Sequence, residues 1–231
     1  MGLLFEKRFY RLTGFTPLLG SQPANPAVRT AWIASRAPDP ALAAEENALL
    51  GTEDDGRNGP EVFLRDAEHG DKLFIYDYIV RGFFKGALHA NQEQFRVAAA
   101  RGKVDKYVFT GPRLIYLLRD GQPIIDEDDM CERSLRGSTT RGERIALAAS
   151  EMVLDPWQIE FSVKLYPNKG TAKSDQVTWE VLEAALDYGE DCGLGGWRTG
   201  GMGRFTWERI DKLSPQAGRM GGGWAGSRFE R

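Results

Sequence analysis

The 231-residue sequence contains little cysteine and no long apolar run. Its two cysteines, Cys131 and Cys192, lie far apart, and neither belongs to a CxxC or Cys/His spacing, which excludes a disulfide framework and a zinc site. No stretch approaches the ~18 apolar residues of a membrane span, and charges from Glu6 onward interrupt the segment where a secretory signal would be apolar. We therefore expect a cytoplasmic protein with reduced thiols, without a metal or cofactor and without membrane contact.

Recognisable catalytic and nucleotide-binding motifs are missing as well. No Gly-Lys-Ser/Thr follows a glycine-rich stretch, and no strand–GxGxxG–helix order is present, which excludes a Walker loop and a Rossmann fingerprint. The only histidines, His69 and His89, do not complete a Ser-His-Asp set, and no pair of carboxylates is spaced for acid–base work. We expect a non-catalytic protein, or a ribonuclease if it has an activity.

The net charge of −3 argues against a protein that coats nucleic acid through bulk electrostatics. The charge is unevenly distributed, with ten acidic and three basic residues over 45–77, and seven basic and three acidic residues over 193–231. Such a chain can bind an anion at one face and a neighbouring subunit at another. The alternative for residues 45–59 is a solvated acidic loop.

Six glycines fall within the thirteen residues 193–205, together with Arg198 and Arg204. Glycine lets the main chain turn tightly and lie close to a partner with its N–H groups exposed. The two arginines make an anion the expected partner, and a phosphate backbone in particular. The alternative is a flexible connector.

Hydrophobic periodicity predicts the main elements. They are strands at 3–15, 72–80, 157–166 and 205–210, helices at 41–50, 83–100 and 178–188, and a hairpin turning at Asp120-Gly121. Their order predicts an α+β fold with a ferredoxin-like (RRM-like) β-α-β-β-α-β core, two helices on one sheet face and an open face near Lys85. We assign 1–212 to one domain, with insertions at about 20–70 and 120–150, and 213–231 to a flexible tail containing Gly and Arg.

Three stretches of this skeleton carry a family resemblance: LTGFTPLLG at 12–20, VRGFFKGAL at 80–88 and GLGGWRTGGMGRF at 193–205. They resemble, in order, the opening strand, the helix opening and the glycine-rich signature loop of the RAMP superfamily of CRISPR effector proteins. Two serines of the helix-opening motif are Phe83 and Phe84 here, and its closing Arg is His89. The chain therefore resembles a divergent member, of the kind that a phage or an unusual effector complex would contain.

Within that superfamily the chain is similar to the backbone subunit, which implies a protein that holds single-stranded guide RNA in a filament-like complex with copies of itself or related subunits. The implied RNA-binding residues are Arg81, Gly82, Lys85, Gly86, Gly195, Gly196, Trp197, Arg198, Gly201, Gly203 and Arg204. Lys85, at a helix start, would present its ammonium to a phosphate. Trp197 would stack on a base, whereas Phe205 fits the core better.

The resemblance leaves two further functions open. Target-cutting members carry an Asp after the first strand, and the candidates here are Asp54, Asp55 and Asp66, which would make the chain a ribonuclease acting on guide or target RNA. The other possibility is a stand-alone phage protein that mimics or binds CRISPR complexes, which the acidic balance fits.

Overall fold

The computed structural model describes residues 5–24, 60–139, 142–167 and 175–220, with backbone alone for 135–139 and 142–147. The strands are β1 (Glu6–Gly14), β2 (Leu18–Leu19), β3 (Gln22–Pro23), β4 (Glu61–Val62), β5 (Leu64–Asp66), β6 (Lys72–Tyr76), β7 (Val108–Gly111), β8 (Leu114–Tyr116), β9 (Leu118–Arg119), β10 (Gln122–Pro123), β11 (Asp129–Thr139), β12 (Gly142–Val153), β13 (Gln158–Leu165), β14 (Phe205–Ile210) and β15 (Gly218–Arg219). The α-helices are α1 (Asp77–Ala90), α2 (Gln92–Phe95), α3 (Ala100–Tyr107), α4 (Trp179–Asp187) and α5 (Gly189–Cys192). The fold is therefore mixed α+β, as the sequence predicts.

Strand β1 lies at the centre of the main sheet. It pairs antiparallel with β13 on one side and with β14 on the other, and β7 pairs antiparallel with β13. The order across these four strands is β7-β13-β1-β14. A second sheet has the order β11-β12-β4-β3, with β2 also paired to β12, and a third has the order β15-β8-β6-β5.

The core lies between one face of the main sheet and the helices. Ile159 and Phe161 of β13 lie opposite Leu12 and Tyr10 of β1, and all four side chains are almost fully buried. Helices α1 and α4 pack their apolar sides into the same core. The strand predicted over 157–166 is confirmed as β13, and its apolar side chains reach this face with a period of two residues. Burial itself does not alternate, because Glu160 and Ser162 of the other face are also buried.

Helix α1 corrects two sequence expectations. It begins at Asp77, directly after β6, so the strand predicted over 72–80 ends at Tyr76. Aromatic and β-branched residues lie on both sides of this boundary, and they favour a strand when read locally. The boundary itself is Asp77, an acidic residue of the kind favoured in the first turn of a helix. The helix predicted over 83–100 ends at Ala90, where Asn91 caps the carbonyl of Ala87 through its backbone and side-chain N–H groups.

Three other predicted elements are confirmed. Helix α4 begins after Thr178, whose Oγ1 accepts a hydrogen bond from the backbone N–H of Val181 at 3.4 Å. Strand β14 spans the predicted 205–210. The hairpin β9–β10 turns at Asp120 and Gly121, which both have positive φ (51° and 74°), as a type I′ turn requires.

The hairpin β11–β12 fills most of the insertion predicted at 120–150. Its strands pair in continuous register from Asp129–Met152 to Thr139–Gly142. Because β12 also pairs with β2 and β4, the base of this hairpin is anchored in the second sheet. The helix predicted over 41–50 lies outside the described residues.

Residues 214–219, which the sequence assigns to a flexible tail, are bound to the body of the protein. The backbone N–H of Ser214 donates to Glu160 at 2.6 Å, and β15 pairs with β8. Arg219 reaches the buried carboxylate of Asp66 at 2.7 Å. Such pairing holds a segment in place as it does in any sheet. None of the helices in the described ranges has the length and apolar composition needed to cross a membrane.

We predict that Gly189→Ala will destabilise the protein by about 1–3 kcal/mol. A Cβ at Gly189 would overlap the ring of Phe205, which is fully buried. Gly102→Ala is the control, because Gly102 lies in α3 with no atom within 4 Å of a Cβ, and it should stabilise by roughly 0.5–1 kcal/mol. Urea unfolding measures both, and equal effects would contradict the packing of α5 on β14.

Candidate functional site

The glycine-rich loop, residues 193–203, is held by the turn that follows β1. The backbone N–H of Gly203 donates to Pro17 O at 2.8 Å, and that of Gly196 donates to Leu19 O at 3.3 Å. These bonds satisfy loop groups that would otherwise need water. The first and third sequence motifs therefore lie against each other.

At two positions of the loop the packing of the backbone requires glycine. Gly203 has φ 70°, and a Cβ there would overlap the carbonyl oxygen of Leu194. A Cβ at Gly196 would lie 2.8 Å from the carbonyl oxygen of Gly20. The loop thus needs glycine to pack on itself and on the turn after β1, so its glycine content does not by itself require a ligand.

A cleft of about 350 Å³ separates the loop from the first half of α1. Its walls include Glu61, Tyr78, Gly82, Gly195, Gly196 and Arg198. A Cβ at Gly86, one turn after Gly82, would lie 3.7 Å from Nη1 of Arg198. The structure therefore brings the second sequence motif, on α1, to the same place as the loop.

Arg198 carries the free positive charge of this cleft. Its side chain is exposed, and its Nη1 donates a weak hydrogen bond to Sγ of Cys192 at 3.8 Å. Within the described part of the chain no carboxylate pairs with it. Arg204 is different: its side chain folds over Gly201, and its buried Nε has no hydrogen-bond partner among the described residues.

Lys85 points away from the cleft. Its Nζ lies 2.5 Å from Oδ1 of Asp105 on α3, in an ion pair that is partly exposed on both sides. Arg81, one turn earlier, lies near Asp77; burial raises the pKa of that carboxyl to about 7, and the charge of Arg81 opposes part of this rise. Both α1 and the cleft lie on the helix-covered side of the main sheet, so the open sheet face expected near Lys85 is on the opposite side.

Trp197 links the loop to the long hairpin. It adopts the left-handed conformation (φ 46°), which costs roughly 1–2 kcal/mol for a residue with a Cβ, and 38% of it is exposed. The guanidinium of Arg133, on β11, lies 5.1 Å from its ring centroid and also contacts Oε2 of Glu61 at 3.2 Å. The sequence analysis did not identify Arg133 or Glu61. These residues are far from the loop in sequence, and it is the strand pairing of the second sheet that brings them next to it.

Asp66, one of the three catalytic candidates, is a buried anchor. It accepts hydrogen bonds from Tyr116 at 2.6 Å, from Arg219 at 2.7 Å and from His69 at 3.1 Å. Burial alone would raise the pKa of Asp66, but these hydrogen bonds outweigh it and hold the pKa below its ordinary value. Its oxygens are occupied and shielded from solvent. Asp54 and Asp55 lie outside the described residues.

Neither a metal site nor a similarity to known proteins identifies the function of this cleft. Over the described ranges, no group of three or more His, Cys, Asp or Glu side chains is arranged to hold a metal ion. No protein-family model matches the chain, and no curated protein matches it. A functional assignment therefore depends on the motifs and on the geometry of the cleft.

We predict that Asp66→Asn will lower the free energy of unfolding at pH 7 by about 2–4 kcal/mol, because Arg219 loses its buried ionic partner. The lowered pKa means that the ionised carboxylate stabilises the fold above about pH 4, and that this contribution is lost as the pH falls through the folded-state pKa. The difference from the parent should therefore shrink towards about pH 3. Asp71→Asn, at an exposed position, should change stability by less than ~0.5 kcal/mol. Denaturant titrations at both pH values measure this, and an unchanged difference would mean that Asp66 is not ionised.

Proposed function

We propose that the protein is a single-stranded RNA-binding backbone subunit of a CRISPR-type ribonucleoprotein complex, a divergent RAMP protein built on a ferredoxin-like core. The cleft between α1 and the glycine-rich loop would hold the sugar–phosphate backbone of guide RNA. Further copies or related subunits would continue the complex along the RNA.

The order of the elements supports the ferredoxin-like core. Strand β1, helix α1, strands β7 and β13, helix α4 and strand β14 follow one another as β-α-β-β-α-β. Numbered within that core, the strands lie in the order 2-3-1-4 with antiparallel neighbours, as a split β-α-β arrangement requires. The hairpin β11–β12 is then an insertion between the second and third core strands.

The observation that carries the proposal is the pair of glycines on α1 beside Arg198. Glycine inside a helix costs roughly 0.5–1 kcal/mol relative to alanine. A Cβ at Gly82 would meet no atom within 4 Å, so packing within the chain does not explain the glycine. A nucleic-acid backbone lying close to the helix does explain it, with its phosphates at the guanidinium of Arg198.

The charges around the cleft are compatible with an anion. Glu61 is its acidic wall residue, but Arg133 and the hydroxyl of Ser150 donate to its Oε2 at 3.2 and 3.0 Å. Lys85 adds no charge to the cleft in this arrangement, because its ammonium is paired with Asp105 of α3. Trp197 keeps 38% of its surface exposed, but the guanidinium of Arg133 lies over its ring, so a base that stacks there displaces this guanidinium.

We predict that Arg198→Gln will weaken binding of single-stranded RNA about tenfold or more, because a charge-assisted phosphate contact is worth roughly 1.5–3 kcal/mol. The parent should bind unrelated oligonucleotides of about thirty residues with similar affinity, and log K should fall with log salt by about 0.7 per neutralised phosphate. Filter binding at two salt concentrations measures both effects. Arg101→Gln, exposed on α3, is the matched control and should bind like the parent.

Two results would contradict this assignment. One is a strong preference of the parent for a single RNA sequence, because phosphate contacts do not read bases. The other is equal affinity of the parent and Arg198→Gln. In addition, the protein purified from its native host should carry RNA of uniform length, visible on a denaturing gel.

We also predict that Gly82→Leu will separate binding from stability. A leucine at Gly82 fills the cleft and should weaken RNA binding about tenfold or more, yet the helix itself should gain up to ~1 kcal/mol. Gly102→Leu is the control, since that glycine is also exposed and helical with open space around it. It should give the same gain without loss of binding. Parent-like RNA binding by both variants would show that RNA does not lie along α1.

A further inference from the structure

The face of the main sheet opposite the helices carries a second cluster of cations and aromatic rings. Lys7 of β1 and Lys164 of β13 are direct cross-strand partners, and Phe109 of β7 is the next partner along the same row. Directly opposite residues of antiparallel strands point to the same face. We call the cluster on this face the sheet-face patch; it consists of Phe5, Lys7, Phe9, Phe109, Lys164 and Tyr166.

The two lysines of the sheet-face patch are an uncompensated like-charge pair. Like charges directly opposite each other destabilise a sheet. Burial lowers the pKa of Lys7, and the nearby charge of Lys164 lowers it further. Among the described residues no carboxylate pairs with either ammonium. Nζ of Lys7 lies 4.7 Å from the ring centroid of Phe9, and Nζ of Lys164 lies 5.1 Å from that of Phe5, so the two ammoniums turn to opposite sides along β1. The fold therefore keeps two positive charges on adjacent strands without a carboxylate partner among the described residues, and a bound polyanion would compensate both.

Aromatic rings connect the patch. Nζ of Lys7 lies 4.7 Å from the ring centroid of Phe9, while Phe109 and Tyr166 have their ring centroids 5.4 Å apart in an edge-to-face arrangement. Phe109 keeps 40% of its surface exposed. An exposed phenylalanine on a strand offers an apolar plane of the kind on which nucleobases stack.

The acidic residues farther along this face are already paired. Arg11 contacts Glu160 at 2.8 Å and Glu208 at 2.7 Å. The second oxygen of Glu160 accepts the backbone N–H of Ser214. Arg11 and the two carboxylates together keep one negative charge. Because Arg11 lies four residues along β1 from Lys7, roughly 13 Å away, solvent and salt screen this charge from the two lysines.

We propose that the sheet-face patch binds a short segment of single-stranded nucleic acid, of roughly two or three nucleotides, separately from the cleft beside α1. Phosphates of this segment contact the ammoniums of Lys7 and Lys164, and a base stacks on Phe109. The charge of the patch favours a polyanion, and its exposed ring favours one that carries flat bases. This surface does not depend on the cleft, since the main sheet separates the two.

The test compares three variants with the parent by fluorescence anisotropy, using labelled oligouridine and oligothymidine of about ten nucleotides. Lys7→Gln with Lys164→Gln should weaken binding about tenfold or more and reduce the salt slope by about 1.4, because two phosphate contacts are lost. Phe109→Ser should weaken binding about five- to hundredfold at an unchanged slope, because stacking is not ionic. Arg101→Gln, the matched charge control, should bind like the parent.

Thermal unfolding shows whether a loss of binding comes from unfolding. The midpoint of Lys7→Gln alone should equal or exceed that of the parent, because the like-charge repulsion is removed. Crosslinking with 4-thiouridine oligonucleotides gives a second readout in the folded parent, and it should label the peptide containing Phe109. Labelling of the glycine-rich loop alone would overturn the proposal.

The result also distinguishes this surface from the cleft. Loss of binding in Arg198→Gln with parent-like binding in the sheet-face variants would leave the proposed function standing and overturn the patch. Loss in the sheet-face variants with parent-like Arg198→Gln would support the patch and overturn the cleft. A parent that binds polyglutamate but neither oligonucleotide would overturn the patch as a nucleic-acid site and indicate an acidic protein partner.

Discussion

The turn after β1, residues 14–20, is packed around the buried indole of Trp157, and much of the molecule depends on that contact. A Cβ at Gly14 would overlap the ring, so glycine is required for the turn to close over it. The indole Nε1 donates to the carbonyl of Thr16 at 2.8 Å, and the backbone N–H of Gly14 donates to Trp157 O at 2.8 Å. These contacts therefore hold the end of β1 and the start of β13 together.

The same turn then positions the two segments that build the cleft. Its Pro17 and Leu19 carbonyls accept hydrogen bonds from the glycine-rich loop, and the N–H of Gly20 donates to the carbonyl of Glu151 on β12. The loop and the hairpin are thus hydrogen-bonded to the same turn. This explains why Arg133 of the hairpin lies over Trp197 of the loop. The geometry of the cleft follows from backbone hydrogen bonds to this turn, and Gly196 and Gly203 let the loop approach closely enough to make them.

Sequence periodicity predicted the elements whose burial is regular along the chain, such as β13 and α4. It failed at the start of α1, because aromatic and β-branched residues on both sides of Asp77 favour a strand, and that preference outweighed the single acidic residue that marks the first helical turn. For the site, the motifs pointed to Arg198 and to the glycines of α1. They could not show that Asp105 pairs with Lys85 or that Glu61 lines the cleft, since those contacts join segments far apart in sequence.

The net negative charge of the chain does not show which charge each surface carries, because several carboxylates are paired with arginines within the fold. Glu183 accepts hydrogen bonds from Arg8 and Arg209 on the helix side of the main sheet. Glu160 and Asp66 are likewise held by arginines in largely buried positions. Charges neutralised inside the fold contribute little to the field that a ligand meets, whereas unpaired charges at the surface contribute fully. Cations without a carboxylate partner among the described residues, such as Arg198 and the Lys7–Lys164 pair, therefore set the character of the two surfaces on which they lie.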